Sequence, residues 1–161
     1  MLVRRSIVGV LAWLAAAPAS AHSPTPPGGG RPGDPAKVTR VIDVVAIENA
    51  FSLKSLDVRD GEPVRFVMRN DGMEPHELTI GTVAEHGEHR KQMKEMMELQ
   101  KKGGHAGHSM SDMAQSGGVW VEAGKTGTFV WTFKRAANLE FACNIPGHYE
   151  DGMMGPIRFV K

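Results

Sequence analysis

The chain has 161 residues, with 19 Lys and Arg against 18 Asp and Glu, and only one Cys. That length holds one compact domain with tails, and a net charge of +1 excludes both the basic footprint of a nucleic-acid binder and an acidic interaction tail. A single cysteine also excludes an intramolecular disulfide and any binuclear centre bridged by two thiolates.

The N-terminus has the three-part pattern of a secretory signal over residues 1–21. Arg4 and Arg5 supply the positive start, residues 7–17 the apolar stretch, and Ala19-Ser20-Ala21 the cleavage motif. The apolar stretch is short for a bilayer span, so cleavage is favoured over a retained anchor and no membrane attachment is expected afterwards. The expected compartment is the bacterial periplasm, where a lone thiol is open to oxidation unless something protects it. Residues 22–36 are rich in Pro and Gly and read as a flexible leader that forms neither helix nor ladder.

Residues 37–161 read as a β domain. Residues 38–47 are rich in β-branched side chains on both alternating faces, which suggests a strand buried on much of both. Residues 51–58 are a weaker extended segment, and Asp60-Gly61 marks a turn. In residues 63–69, Val64, Phe66 and Met68 alternate inward against Arg65, Val67 and Arg69. Asn70-Asp71-Gly72 turns the chain into a short strand over 76–80. Residues 119–122, 126–133, 139–142 and 156–160 complete a set of short strands. Together they imply an all-β fold, an antiparallel or mixed β-sandwich.

Residues 84–118 interrupt this pattern as an insertion too long for a hairpin connection. Within it, 88–102 is made of good helix formers, with Met93, Met96 and Met97 on one helical face. His86, His89, His105, His108, Met110 and Met113 complete its soft donors. Two readings stay open: a covering helix with a polar loop, or a labile Cu(I)-collecting surface over 86–113.

The chemistry concentrates in Phe141-Ala-Cys143-Asn-Ile-Pro-Gly-His148-Tyr-Glu-Asp-Gly-Met153-Met154. Cys143, His148 and Met153 follow a Cys-x4-His-x4-Met spacing, broken by Pro146, Gly147 and Gly152, so they curl around a point rather than line a helix. His76 opens its own strand upstream. Two imidazoles, a thiolate and a weak thioether are the donor set of a mononuclear copper electron-transfer site. Zinc would take three of these donors, but thioether is a poor fourth for it.

These two segments, Asn70-Asp-Gly-Met-Glu-Pro-His76-Glu-Leu-Thr-Ile-Gly81 and Phe141 to Met153, resemble the cupredoxins, the family of azurin, plastocyanin and rusticyanin. The resemblance covers residues 38–161. It implies a Greek-key β-sandwich with one type 1 copper at one end, His76, Cys143 and His148 as equatorial ligands and Met153 as the axial one. Met154 is an adjacent competitor for the axial place. Glu77 follows His76 and reads either as an exposed strand residue or as one that bonds to the site.

The expected function is therefore a periplasmic type 1 copper protein that handles copper or passes single electrons. Its partner would be a redox protein or a copper donor or acceptor, docking on a rim of Met73, Ile145, Pro146 and Met154. The insertion resembles that of periplasmic copper-resistance cupredoxins and tilts the reading toward tolerance over a pure electron carrier. An enzyme, such as a copper oxidase or nitrite reductase, would need a second copper and further histidines. One domain without a His-x-His motif argues against it.

Overall fold

The computed structural model describes residues 28–103 and 117–161. The signal expected over 1–21 lies outside the described residues, as do His105, His108, Met110 and Met113. The chain runs β1 (Gly30–Pro32), a 3-10 turn (Pro35–Lys37), β2 (Arg40–Ile47), β3 (Ala50–Phe51), β4 (Leu56–Val58), β5 (Pro63–Asn70) and β6 (His76–Thr82). Helix α1 (Val83–Lys101) follows, then β7 (Gly118–Val121), β8 (Thr126–Phe133), β9 (Leu139–Ala142) and β10 (Met154–Phe159).

Two five-stranded sheets form, in the orders β1-β8-β5-β2-β3 and β4-β10-β9-β6-β7. Both are mixed: β2 lies parallel to β5 and β10 parallel to β4, and the remaining pairs are antiparallel. Val64, Phe66 and Met68 all point inward and are fully buried, as their alternation requires. From the facing sheet come Leu78, Ile80, Val121, Phe141 and Ile157. Phe51 and Phe141 meet edge-on across the two sheets, with ring centroids 5.9 Å apart.

Strand β2 departs from expectation. Val44 and Ala46 are buried, but Val41 is 50% and Ile47 49% exposed, so only one face of the strand is covered. The sandwich has two layers, and among the described residues the outer face of β2 is left open to water at Val41, Asp43 and Ile47.

The flexible leader expected over 22–36 is also corrected where it is described. Residues Gly30–Pro32 pair with Phe133 to Trp131 of β8, and Gly33 N–H donates to the Val130 carbonyl. Glycine makes this possible. A Cβ on Gly30 would stand 2.3 Å from the Thr132 carbonyl oxygen and 2.4 Å from the Trp131 ring nitrogen. Without it, the backbone lies close enough for Trp131 Nε1–H to donate to the Gly29 carbonyl at 3.3 Å. Pro32 sits on an edge strand, where the missing N–H costs no central ladder bond.

Helix α1 starts five residues earlier than the helix-former content suggests, directly off β6. Thr82 and Glu85 form a capping box: Glu85 N–H donates to Thr82 Oγ1 at 3.3 Å, and Thr82 N–H donates to Glu85 Oε2 at 2.7 Å. The Glu85 carboxylate also accepts from Gly28 N–H, tying β1's approach to the helix. Gly103, at a φ of 75°, takes the left-handed position that ends the helix.

Candidate metal centre

The register of the second sheet builds the centre. Strand β6 starts at His76 and runs antiparallel to β9, with Thr79 opposite Ala142. The chain therefore leaves β9 at the end where β6 begins, and Cys143, one residue past β9, arrives beside His76. The loop from 143 to 153 then folds back. Met153 N–H donates to the His148 carbonyl at 2.9 Å, and Cys143 N–H to the Met153 carbonyl at 3.0 Å. Gly147 and Gly152 take positive φ of 98° and 95°, the turns that L side chains disfavour.

The structure brings three of the four expected donors to one point. Donor atoms of His76, Cys143 and His148 all lie within 4.8 Å of one another, and all three residues are buried. His148 Nδ1 is 3.5 Å from Cys143 Sγ, and its Nε2 faces Glu74 at 3.6 Å on the surface side. Nδ1 is thus the nitrogen turned to the shared point. Both ring nitrogens of His76 are buried without a hydrogen-bond partner. An orphaned buried imidazole is costly unless a ligand takes its lone pair, so the donor set fits a metal. Met153 is fully buried at the same loop, whereas Met154 is 37% exposed.

Electrostatics follow from burial. The Cys143 thiol is pushed up to about 12, first by burial and then by the nearby Glu77 charge. Burial, with help from His148, holds His76 below the usual histidine value, so it is kept in the neutral, coordinating form.

A layer of polar contacts surrounds the donors. Glu77 is fully buried rather than exposed. Its backbone N–H points at Cys143 Sγ at 3.5 Å. Its Oε1 accepts from Asn144 N–H at 2.9 Å and from Asn144 Nδ2 at 2.8 Å. His89 Nε2 of α1 lies 3.1 Å from the same oxygen. Asn144 also donates to Thr79 Oγ1 at 2.8 Å, and Thr79 donates in turn to the Ala142 carbonyl at 3.0 Å. His86 Nδ1 stands 3.1 Å from Asn144 Oδ1, and burial keeps its ring below the usual histidine value. Arg90 lies 3.7 Å over the Tyr149 ring and 3.4 Å from Glu150.

These contacts narrow the insertion as a copper-collecting surface. His86, Met93 and Met96 are buried, and His89 is held by Glu77. Of the described donors, His86, Met93 and Met96 face inward because α1 packs on β6 and β9, whereas Met97 is half-buried. Sequence reasoning had not placed Asn144, Thr79 or Arg90 near the site. The signal was present for two of them: Asn144 follows Cys143, and Arg90 shares a helical face with His86 at i+4.

Solved structures share this fold. Auracyanin B superposes with a TM-score of 0.63 at 18% identity, over 84% of this chain and 98% of its own. Auracyanin A of Chloroflexus aurantiacus, a "blue" copper protein, gives 0.56 at 17% identity over 74% and 98%. An azurin of Methylomonas sp. strain J gives 0.55 at 12% over 77% and 100%. The chain has the cupredoxin fold, with a donor cluster of two histidines and a cysteine. No family model matches it. It is 37% identical to the copper-resistant cuproprotein CopI of Pseudomonas aeruginosa, over 94% of this chain and 91% of that protein. The CopI of Rubrivivax gelatinosus is 41% identical over 80% and 71%, and that of Vibrio cholerae 35% over 80% and 70%. The chain belongs to this CopI family of copper-resistant cuproproteins.

Proposed function

We propose that the chain holds one copper ion as a type 1 site, with His76, Cys143 and His148 equatorial and Met153 axial, and that it serves copper tolerance in the periplasm. The observation that carries this is the buried convergence of the Cys143, His148 and His76 donor atoms within 4.8 Å. Bound copper would supply a one-electron couple, and this mixed donor set suits both of its oxidation states. Cys143 gives up its thiol proton to become a donor, and His76 is already neutral. The burial of His76, Cys143 and His148 keeps water from the point they share, and Met153 is buried at the same loop.

The role in tolerance rests on the names of the relatives, and the electron-carrying role on the fold. Neither calls for substrate turnover, so the protein acts as a carrier rather than an enzyme. A redox protein or a copper donor or acceptor would dock where His148 nears the surface, beside the exposed Met73 and Met154 and the half-buried Ile145 and Pro146. Among the described residues no helix is long and apolar enough to cross a membrane. Periplasmic placement rests on the signal pattern of residues 1–21.

A Cu(II) titration of the purified chain, followed by visible absorption, tests the site. The expected result is an intense thiolate-to-copper band saturating at one equivalent. A colourless protein would overturn the type 1 assignment.

A further inference from the structure

We propose that helix α1 is the positioning clamp of the metal centre, acting through His89 on Glu77. This rests on the type 1 reading above and extends it to the insertion. Glu77 joins the two segments that carry the donors at both ends of its own residue. Its backbone N–H points at the Cys143 sulfur at 3.5 Å, and its carboxylate accepts from the backbone and side chain of Asn144, the next residue after Cys143. A flexible Glu side chain keeps that geometry only if something fixes its rotamer. His89 does so, with Nε2 at 3.1 Å and 3.2 Å from the two carboxylate oxygens. Glu77 is fully buried, and His89 is the side chain of the pair that reaches the surface, at 17% exposure.

The rest of the helix face supports the same role. His86 lies on the Asn144 side-chain oxygen Oδ1, and Arg90 on Tyr149 and Glu150 of the ligand loop. Three successive contacts from α1 thus fall on the loop between Cys143 and Met153 or on its Glu77 support. The two helix histidines are positioning residues for the single site, not donors to a second one. Outer partners of this kind typically change metal affinity by about 10–100-fold when removed.

The test uses the full copper-loaded chain with His89→Leu, His89→Gln and, as a control, the exposed Gln92→Ala. Gln places an amide N–H near the position of Nε2, and Leu places none. His89→Leu should displace the visible band and weaken copper retention against a competing chelator about 10–100-fold, with stoichiometry unchanged. His89→Gln should restore both, and Gln92→Ala should resemble the parent. Should His89→Leu fail to fold because the Glu77 charge is left buried and unpaired, the double variant His89→Leu/Glu77→Gln removes that charge. It should show the displaced band. A parent-like band and retention in His89→Leu or in the double variant would overturn the clamp, as would failure of Gln to rescue. Loss of a whole copper equivalent in His89→Leu would overturn it too, by making His89 a donor. If the parent chain itself stays colourless with Cu(II), the type 1 reading fails instead.

Discussion

His148 stands between the interior and the surface: its Nδ1 lies 3.5 Å from Cys143 Sγ, and its Nε2 3.6 Å from the exposed Glu74. The inner nitrogen meets the sulfur, and the outer one lies on the surface side beside Glu74. Cys143→Ala should therefore abolish the visible band while leaving a folded sandwich. The cavity left by one buried sulfur costs on the order of 1–2 kcal/mol. Absorption after Cu(II) addition, with a thermal melt of the same sample, checks both halves.

Met153 and Met154 are neighbours in sequence but not in environment. Met153 is fully buried at the loop that closes on Cys143, and Met154 is 37% exposed at the start of β10. Met153→Leu keeps the volume and removes the thioether, so it should keep a coloured site and shift its reduction potential. Its stability cost should stay below about 1.5 kcal/mol. Met154→Leu should change neither colour nor potential. Voltammetry of the two variants side by side checks the assignment, and a shifted potential in Met154→Leu with none in Met153→Leu would reverse it.

Much of this site was legible because its chemistry sits in short motifs. Cys143, His148 and Met153 are spaced within one loop, and the alternation of Val64, Phe66 and Met68 marks the sheet that packs against the one carrying it. What stayed hidden depends on burial and register. Nothing local tells that Glu77 faces inward, because every residue from His76 to Gly81 is buried once α1 covers the far side of β6. His86 and His89 look like free donors in sequence. Their partners, Asn144 and Glu77, lie 58 and 12 residues away; the first comes near through the β6–β9 pairing and the second because α1 folds back on β6. Strand β1 was missed for another reason. A run of Gly and Pro has no intrinsic strand preference, and the strand exists because bare glycine backbone fits against Trp131.

That fit predicts a strong effect from a small change. Gly30→Val adds atoms where even a Cβ would stand 2.3 Å from the Thr132 carbonyl oxygen. The edge strand must shift away from β8, exposing Trp131, which is now 1% exposed. A loss of about 1–3 kcal/mol is expected, the usual range for overpacking. Denaturant melts read the stability, and increased Trp fluorescence quenching by a soluble quencher reads the exposure. Arg31→Ala, on the exposed side of the same strand, should leave both unchanged.

Without metal, stability should fall on both sides of neutral pH. The folded chain keeps the Cys143 proton up to about 12, whereas the unfolded chain releases it near 9, so the unfolded state gains as pH rises through that window. On the acid side, His76 and His86 are both held below 6.5, chiefly by burial. Below about 6.5 the unfolded chain takes up protons that the folded chain refuses, and stability falls again. Melting temperature across this range should give a plateau with two shoulders. Copper uptake at neutral pH should release the proton of Cys143, because the thiol holds it until a metal takes the sulfur. Proton release in weak buffer measures this directly, and no release would mean that Cys143 does not bind as thiolate.

The insertion divides into two parts with different consequences. Helix α1 carries His86, His89 and Arg90, which touch Asn144, Glu77 and Tyr149. Residues 104–116 carry His105, His108, Met110 and Met113, the remaining soft donors of the segment. Replacing 104–116 by a short Gly-Ser linker leaves every described contact of α1 in place. The visible band and its saturation at one equivalent should survive that change. Deleting α1 as well removes the support of Glu77 and Asn144, and the band should shift or disappear. If copper stoichiometry by mass spectrometry also falls on removing 104–116 alone, then that segment binds the additional Cu(I). Tolerance would then draw on two copper sites in one chain, only one of them built into the sandwich.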